Sequence, residues 1–204
     1  IVNIEILRNN YFNAREGRSD LHDVYVDALL FRGQKYLREK KWEMALQDFK
    51  DADLYPINHS IGRNEKSERR AQIFYLTGLA LEQLGKKQEA KNWFEKSTAI
   101  KVKKEEYNFQ KALAYQHLGD EENAQQLFEK MAKEGEMMMN EKVEVDFFSK
   151  FGENQIENKR KATAHYLLGL AQLGKGDKTK AHQYFKETIK LYPGHTWAGQ
   201  MLKD

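Results

Sequence analysis

Small and aromatic residues recur along the chain at fixed intervals, inside stretches whose apolar positions follow a helical spacing. Gly33 precedes Ala45 by twelve residues, and Phe49 follows four residues later. The same intervals separate three further sets, with Ala in place of Gly in the second of them: Gly78, Ala90 and Phe94; Ala112, Ala124 and Phe128; and Gly169, Ala181 and Phe185. Repetition of this kind predicts an array of helix–turn–helix units, none of which can bury its apolar face alone.

Glycine and aspartate mark the predicted turns between the paired helices. Gly85, Gly119 and Gly176 stand where the first helix of a pair should end, and glycine is the usual residue at such a terminus. Asp120 and Asp177 follow at once, where they can cap the second helix. The repeated small residues should lie where paired helices cross, because a short side chain lets the axes approach to near the lower end of the roughly 8–10 Å range.

The match among the repeats extends beyond these positions. In the last set, the pair Leu168-Gly169 is followed by Gly176-Asp177, and Pro193 closes the segment. The other three sets add residues at corresponding places: Tyr36, Trp42, Ala52 and Pro56; Phe74 and Leu81; and Tyr115. These segments resemble the tetratricopeptide repeat family. The resemblance implies an all-α fold, a right-handed α-α superhelix of four helix pairs with two inserts, and a function in protein binding.

We predict one tetratricopeptide-like domain that spans residues 1–204. The repeated Ala falls at positions 45, 90, 124 and 181, so its steps are 45, 34 and 57 residues. The excess over 34 places inserts at 60–70 and 139–161, between repeats at about 26–59, 71–104, 105–138 and 162–195. Residues 1–20 are an N-terminal stub, and residues 196–204 are a C-terminal cap of the kind that repeat arrays need on their last face.

The two inserts carry local signals of their own. In the first insert, Asn64 or Ser67 is expected to cap the helix that enters the second repeat. In the second insert, residues 143–147 alternate apolar and charged side chains, which indicates a short strand or an extended segment. Three phenylalanines of this insert are too apolar to be left in water, and we expect them to dock on the repeats: Phe147, Phe148 and Phe151.

Short motifs spread over the chain are similar to a more particular architecture. They are Leu21 to Asp27, Tyr55-Pro56, Ile61-Gly62-Arg63, Asn158-Lys159-Arg160 and His165 to Gly169. They resemble the C-terminal repeat region of large bacterial proteins that have a β-rich, carbohydrate-enzyme-like module upstream. The apolar start of the chain, Ile1 to Leu7, is too short to fold alone and fits an upstream domain or repeat. The resemblance implies a bacterial source and a link to sugar metabolism.

The first helix of each pair lines a concave groove in the tetratricopeptide family. The predicted groove and partner-binding residues are Leu30, Gln34, Tyr75, Leu79, Phe109, Leu113, Tyr166 and Leu170. Three of the four repeats place an aromatic ring at the equivalent site, which favours docking of an extended or helical peptide against partly exposed rings. The alternative is that these residues pack against neighbouring helices or against the phenylalanines of the second insert.

Charge and hydropathy narrow the class of partner. The family's sites for a C-terminal carboxylate need Lys, Arg and Asn, but here they hold Leu30, Gln34, Leu76, Glu106 and Gln110. The formal charges nearly balance at +3, which argues against a nucleic-acid surface. No apolar run approaches the 18 residues or so that suggest a membrane span. We therefore expect neither nucleic acid nor membrane as a partner.

Catalytic and metal-binding motifs are missing from the sequence. The chain has six His and no Cys, and its histidines show no metal-ligand spacing. His165 and His182, on the two helices of the last repeat, come closest and are expected to pack or face solvent. We predict no metal, no cofactor and no enzymatic activity.

The predicted function is a scaffold that binds a protein or peptide segment, or an upstream domain of the same chain. The alternative is a structural or regulatory C-terminal arm of a larger, carbohydrate-active bacterial enzyme. The absence of cysteine does not decide the compartment, which stays open between cytoplasm and periplasm.

Overall fold

The computed structural model describes residues 4–10, 20–59, 66–141 and 153–203, and within these residues it contains helices and no strand. The helices are α1 (Ile4–Asn9), α2 (Asp20–Arg38), α3 (Trp42–Ala52), α4 (Arg70–Gln83), α5 (Lys87–Ala99), α6 (Asn108–His117), α7 (Glu121–Asn140), α8 (Glu153–Gly174), α9 (Lys178–Leu191) and α10 (Thr196–Met201). Two single 3₁₀ turns, Ile57–His59 and Glu105–Tyr107, join helices. The all-α fold class predicted from the sequence is confirmed.

Several sequence-based expectations fall outside the described residues. They concern the extended segment at 143–147, the docking of Phe147, Phe148 and Phe151, and a cap from Asn64. In the described part of the chain, no helix has the length and apolar character that crossing a membrane requires.

Contacts divide the chain into two compact units, Ile1–Lys101 and Val102–Asp204. The first unit contains α1 to α5, and the second contains α6 to α10. The sequence pattern predicts one domain over residues 1–204, and the contacts concentrate within these two halves. Each unit therefore has its own packing.

In the first unit, a phenylalanine of the second helix lies directly over the glycine of the first helix. The ring of Phe49 on α3 covers Gly33 of α2, and the ring of Phe94 on α5 covers Gly78 of α4. A Cβ atom added to Gly78 would lie 2.5 Å from the Phe94 ring, well inside van der Waals contact. The glycine is therefore required by the ring that occupies the space of its missing side chain.

In the second unit, one helix pair has the same contact of phenylalanine over glycine, and the other pair has a different one. Phe185 of α9 lies over Gly169 of α8, where an added Cβ would again be 2.5 Å away. In the preceding pair the first helix has Ala112 in place of Gly, and the ring of Phe128 lies against Gly174 near the end of α8. The third repeat can hold a methyl group because a later glycine, Gly174, leaves room for its phenylalanine.

A side-chain hydroxyl also joins the two helices in two of the repeats. Ser97 of α5 donates to the backbone carbonyl of Ala71 at 2.7 Å, and Thr188 of α9 donates to that of Ala162 at 3.4 Å. Both hydroxyls are three residues after the repeated phenylalanine and are buried. They satisfy polar groups inside the pair, a contact that the sequence analysis did not anticipate.

The turns between helices follow the prediction in three repeats and depart from it in the first. Gly85, Gly119 and Gly176 have φ of 75°, 79° and 85°, a left-handed conformation in which a Cβ is costly. The first repeat has Lys40 in the same conformation, with φ of 57°. A lysine can take this conformation only with strain, so the first turn is the least favourable locally.

Helix capping agrees with the prediction at two aspartates and not at the start of α4. Asp120 and Asp177 accept hydrogen bonds from the backbone N–H groups three residues later, as predicted. The N-cap of α4 is Arg69, which makes no side-chain capping bond, so the cap expected from Ser67 is wrong. Ser67 lies two residues before the N-cap, and it contributes only its backbone carbonyl, to the N–H of Arg70 at 3.2 Å.

Candidate functional site

The predicted groove residues of the first unit lie on α2 and α4, the first helices of their pairs. Leu30 of α2 is fully buried, and Tyr75 of α4 is 7% exposed. Gln34 and Leu79, one turn further along each helix, are partly exposed. The predicted groove residues that this unit offers to a ligand are therefore Gln34 and Leu79.

The second unit repeats this arrangement on α6 and α8, with one difference. Phe109 and Tyr166 are each 5% exposed, and Leu170 is fully buried. Leu113 of α6 is partly exposed and packs at the edge of the apolar core of this unit. All four predicted groove residues of the second unit lie in the described part of the chain. Of these four, Leu113 alone has a side chain that is open to a ligand.

The three aromatic rings of the predicted groove take part in packing. Tyr75 lies 6.0 Å from Phe94, Phe109 lies 6.2 Å from Phe128, and Tyr166 lies 5.9 Å from Phe185, measured between ring centres. Each ring is three residues before the small residue of its helix and therefore contacts the phenylalanine of the same repeat. The partial exposure expected for these rings is not found.

Burial also changes the chemistry of Tyr75. Removal of its hydroxyl from water raises the pKa of Tyr75, and the nearby charge of Glu82 raises it further. The phenol therefore stays neutral at every physiological pH. It can act as a hydrogen-bonding group and not as a base.

Buried glutamines were missed as a group by the sequence analysis. Gln72 of α4 and Gln110 of α6 are almost fully buried, and no described residue donates a hydrogen bond to the side-chain oxygen of either one. The side-chain oxygen of Gln34 is also buried and receives no hydrogen bond from a described residue. A buried acceptor without a donor costs about 1–3 kcal/mol.

A polar cluster in the first unit was also missed. His22 of α2 and His59 of the 3₁₀ turn are both buried, with 3.3 Å between their Nδ1 atoms. The ring of His22 stacks on Tyr55 at 4.2 Å. A cavity of about 130 Å³ adjoins it, lined also by Arg69 and Arg70. The sequence offered no signal for this cluster, because its histidines are 37 residues apart.

The arginines at this cavity are neutralised by aspartates. Arg69 pairs with Asp27, and the Nε of Arg70 lies 2.9 Å from Oδ1 of Asp53, an ion-pair distance without good hydrogen-bond geometry. The cavity is therefore polar but has no excess of positive charge that would select an anion.

The two histidines considered for metal binding contact different groups. His165 of α8 lies 5.8 Å from the ring of Tyr184, and His182 of α9 turns its Nδ1 toward the backbone oxygen of Lys178 at 3.2 Å. Burial lowers the pKa of His165. Among the described residues, no group of three or more His, Asp or Glu side chains could hold a metal ion.

Comparison with known proteins identifies the repeats. A family model described as tetratricopeptide repeat matches residues 71–101 and 105–133, and a second model with the same description matches residues 162–195. These segments contain the helix pairs that carry Phe94, Phe128 and Phe185. The chain therefore contains tetratricopeptide repeats, which generally mediate protein–protein interaction.

Comparisons beyond the repeats add little. No curated protein matches the chain. A crystal structure of MamA is 20% identical over 84% of this chain and 81% of its own, with a TM-score of 0.32. A structure titled MamA RS-1 ArsTM double mutant is 20% identical over 87% of this chain and 80% of its own, with a TM-score of 0.30. With TM-scores this low, neither structure bears on the fold or function of this chain.

Proposed function

We propose that this protein is a non-catalytic scaffold that binds a peptide segment of another protein, or a domain of its own chain, through the first helices of its repeats. The observation that carries the proposal is the presence of tetratricopeptide repeats, which generally mediate protein–protein interaction. The partly exposed residues Gln34, Leu79 and Leu113 are the proposed contact points.

The remaining groove residues have a supporting role in this proposal. Leu30, Tyr75, Phe109, Tyr166 and Leu170 form the packed layer beneath the contact points, and their burial keeps the first helices in place. Contact residues that stand on a rigid layer lose little side-chain freedom on binding, which lowers the cost of association.

Selection of peptides from a random display library tests the proposal directly. Peptides that bind the wild-type protein are synthesised, and their Kd is measured by fluorescence polarisation. Leu79→Glu and Leu113→Glu are expected to weaken binding at least tenfold in the unit each one alters, a loss of about 1.4 kcal/mol. Met44→Glu, on the second helix α3 with a 48% exposed side chain, is the matched control and should change the Kd less than twofold.

A second variant separates binding from packing. Tyr75→Ala combined with Phe109→Ala should lower the melting temperature, because both rings are buried against phenylalanines. Equal effects of Leu79→Glu, Leu113→Glu and Met44→Glu on binding would contradict the proposed face, as would a failure to select any peptide.

The alternative role, as a structural or regulatory arm of a larger carbohydrate-active enzyme, places the ligand in the same chain. It is favoured by the docking of α1, a segment that precedes the repeats and is joined to them by an ion pair between Arg8 and Asp51. If a domain of the same chain is the ligand, a protein that includes that domain should fail to bind the selected peptides, because the domain covers the face. Unchanged peptide binding would count against this role.

A further inference from the structure

The helix α1 is held on the first repeat by few contacts. Ile4 and Leu7 are buried, and Arg8 donates to the carboxylate of Asp51 on α3 at 2.6 Å. A helix of six residues is far below the length at which helices are stable alone. The position of α1 therefore depends on these contacts and on the polar groups at its C-terminal end.

The end of α1 is bonded by the 3₁₀ turn that follows α3. Asn58 donates its side-chain N–H groups to the backbone oxygens of Leu7 at 2.9 Å and Asn10 at 2.7 Å. The Nε2 of His59 lies 3.0 Å from the same oxygen of Leu7. Since a carbonyl oxygen only accepts, the Nε2 of His59 must carry a proton.

The proton on Nε2 of His59 determines the state of its neighbour. In neutral His59 the other ring nitrogen, Nδ1, has a lone pair and accepts. It lies 3.3 Å from the Nδ1 of His22, which must therefore donate. The two rings form a relay in which His22 donates to His59 and His59 donates to Leu7 on α1.

We propose that the His22–His59 pair is an acid-operated latch for α1. The latch holds α1 on the first repeat while the two Nδ1 atoms share one proton. It releases α1 when both rings are fully protonated. A singly charged pair can keep the hydrogen bond, because one Nδ1 still has a lone pair. A doubly charged pair places two N–H groups against each other at 3.3 Å, with two like charges and no acceptor between them. The 3₁₀ turn must then move, and Asn58 and His59 leave α1.

The described carboxylates around the pair lie against arginines, including Asp23, which is 3.9 Å from Arg69. Among the described residues, the charged and titratable groups around the two rings are Arg8 on α1; Asp23, Tyr25 and Asp27 on α2; Asp51 on α3; Asp53 and Tyr55 after it; and Arg69 and Arg70 at the start of α4. Arg8, Arg69 and Arg70 pair with Asp51, Asp27 and Asp53. Among the described residues no carboxylate bonds to either histidine ring.

The titration of His22 agrees with this geometry. Burial lowers the pKa of His22 to about 4, and the positive charges of His59 and Arg69 add to the effect. If release of α1 returned His22 to an ordinary pKa near 6.5, the equilibrium constant for docking α1 would fall by about 80-fold between pH 6.5 and pH 4. Acid therefore weakens the docking of α1, because the buried site favours the neutral ring of His22.

Electron paramagnetic resonance of a labelled α1 tests the latch. The chain has no cysteine, so Ile6→Cys, at a half-exposed site on α1, takes a single nitroxide label. The label should be immobilised at pH 7.5, and a mobile fraction should grow as the pH falls below 6.5 while circular dichroism still reports folded helices. His22→Phe keeps a ring beside Tyr55 but cannot be protonated, and should abolish this pH dependence.

Two further variants make the result decisive. His59→Gln retains an N–H donor for Leu7 and places no second like charge beside His22, so it should reduce the pH dependence if His22→Phe does not fold. His117→Gln, at an exposed histidine of the second unit, should leave the pH dependence unchanged. The latch is overturned if the wild-type label stays immobile down to pH 4.5, if α1 is released only when all helical signal is lost, or if the His22 and His59 variants respond to pH as the wild type does.

Discussion

The packing of phenylalanine over glycine makes a sharp prediction at Gly169. Gly169→Ala adds a methyl group whose carbon would lie 2.5 Å from Cε1 and 2.7 Å from Cδ1 of Phe185. Carbon atoms prefer 3.5–4.0 Å, so the ring must move by about 1 Å. Phe185 is fully buried, so its ring can move only by displacing its neighbours. Overpacking of this kind costs about 1–3 kcal/mol.

The helix propensity of alanine acts in the opposite direction and needs a matched control. Replacing glycine by alanine inside a helix gains up to about 1 kcal/mol, so the net destabilisation of Gly169→Ala is about 0–2 kcal/mol. Gly199→Ala in α10 of the same unit adds the same methyl where the nearest atom, Cδ1 of Ile189, is 3.8 Å away. This variant should be neutral or stabilising, and the difference between the two variants isolates the overpacking term of about 1–3 kcal/mol.

Urea unfolding followed by circular dichroism measures both variants. A fit that allows separate transitions is required, because repeat arrays do not always unfold in one step. A smaller ring should relieve the clash, so Gly169→Ala combined with Phe185→Leu should cost less than the sum of the single changes. If Gly169→Ala stabilises the protein as much as Gly199→Ala does, the ring does not lie over the glycine and the packing described above is wrong.

Three other perturbations follow from the same structure. Gly174→Ala should be less stable than Gly199→Ala by about 1–3 kcal/mol in urea unfolding, because its methyl would enter the ring of Phe128; equal stabilities would refute this contact. Gly85→Ala should cost about 1–2 kcal/mol by backbone strain alone, and Lys40→Gly should stabilise by up to about 1 kcal/mol; opposite signs in thermal melts would contradict the left-handed turns. His22 is neutral when buried and charged when unfolded at acidic pH, so stability should fall by up to about 3 kcal/mol as the pH decreases from 6.5 to 4; an unchanged loss in His22→Gln would assign it to other groups.

Local sequence patterns were sufficient where the structure depends on contacts within one helix pair. Gly78 and Phe94 are sixteen residues apart in the chain, and the short turn at Gly85 brings them together in only one way. The same holds for the capping by Asp120 and Asp177, which act on backbone groups three residues away. Such features repeat with the sequence because each helix pair is built by its own residues.

The candidate site was less predictable, because exposure depends on what neighbouring elements cover. The spacing that put Tyr75, Phe109 and Tyr166 on one face of their helices is correct, but it could not reveal that each ring lies against its own phenylalanine. An aromatic ring at a helix surface and one inside a helix pair have the same periodicity. Burial by a second element is therefore the property that the pattern alone leaves open.

The sequence by itself determined the helical class, the repeated pairs and the glycines and aspartates of the turns, since all of these arise from interactions over a few residues or one turn. Only the tertiary structure decided that Phe128 uses the distant Gly174, that Ser67 does not cap α4, and that His22 meets His59 beneath α1. These depend on which helices become neighbours, and that choice is made by the packing of the apolar side chains of a whole unit together.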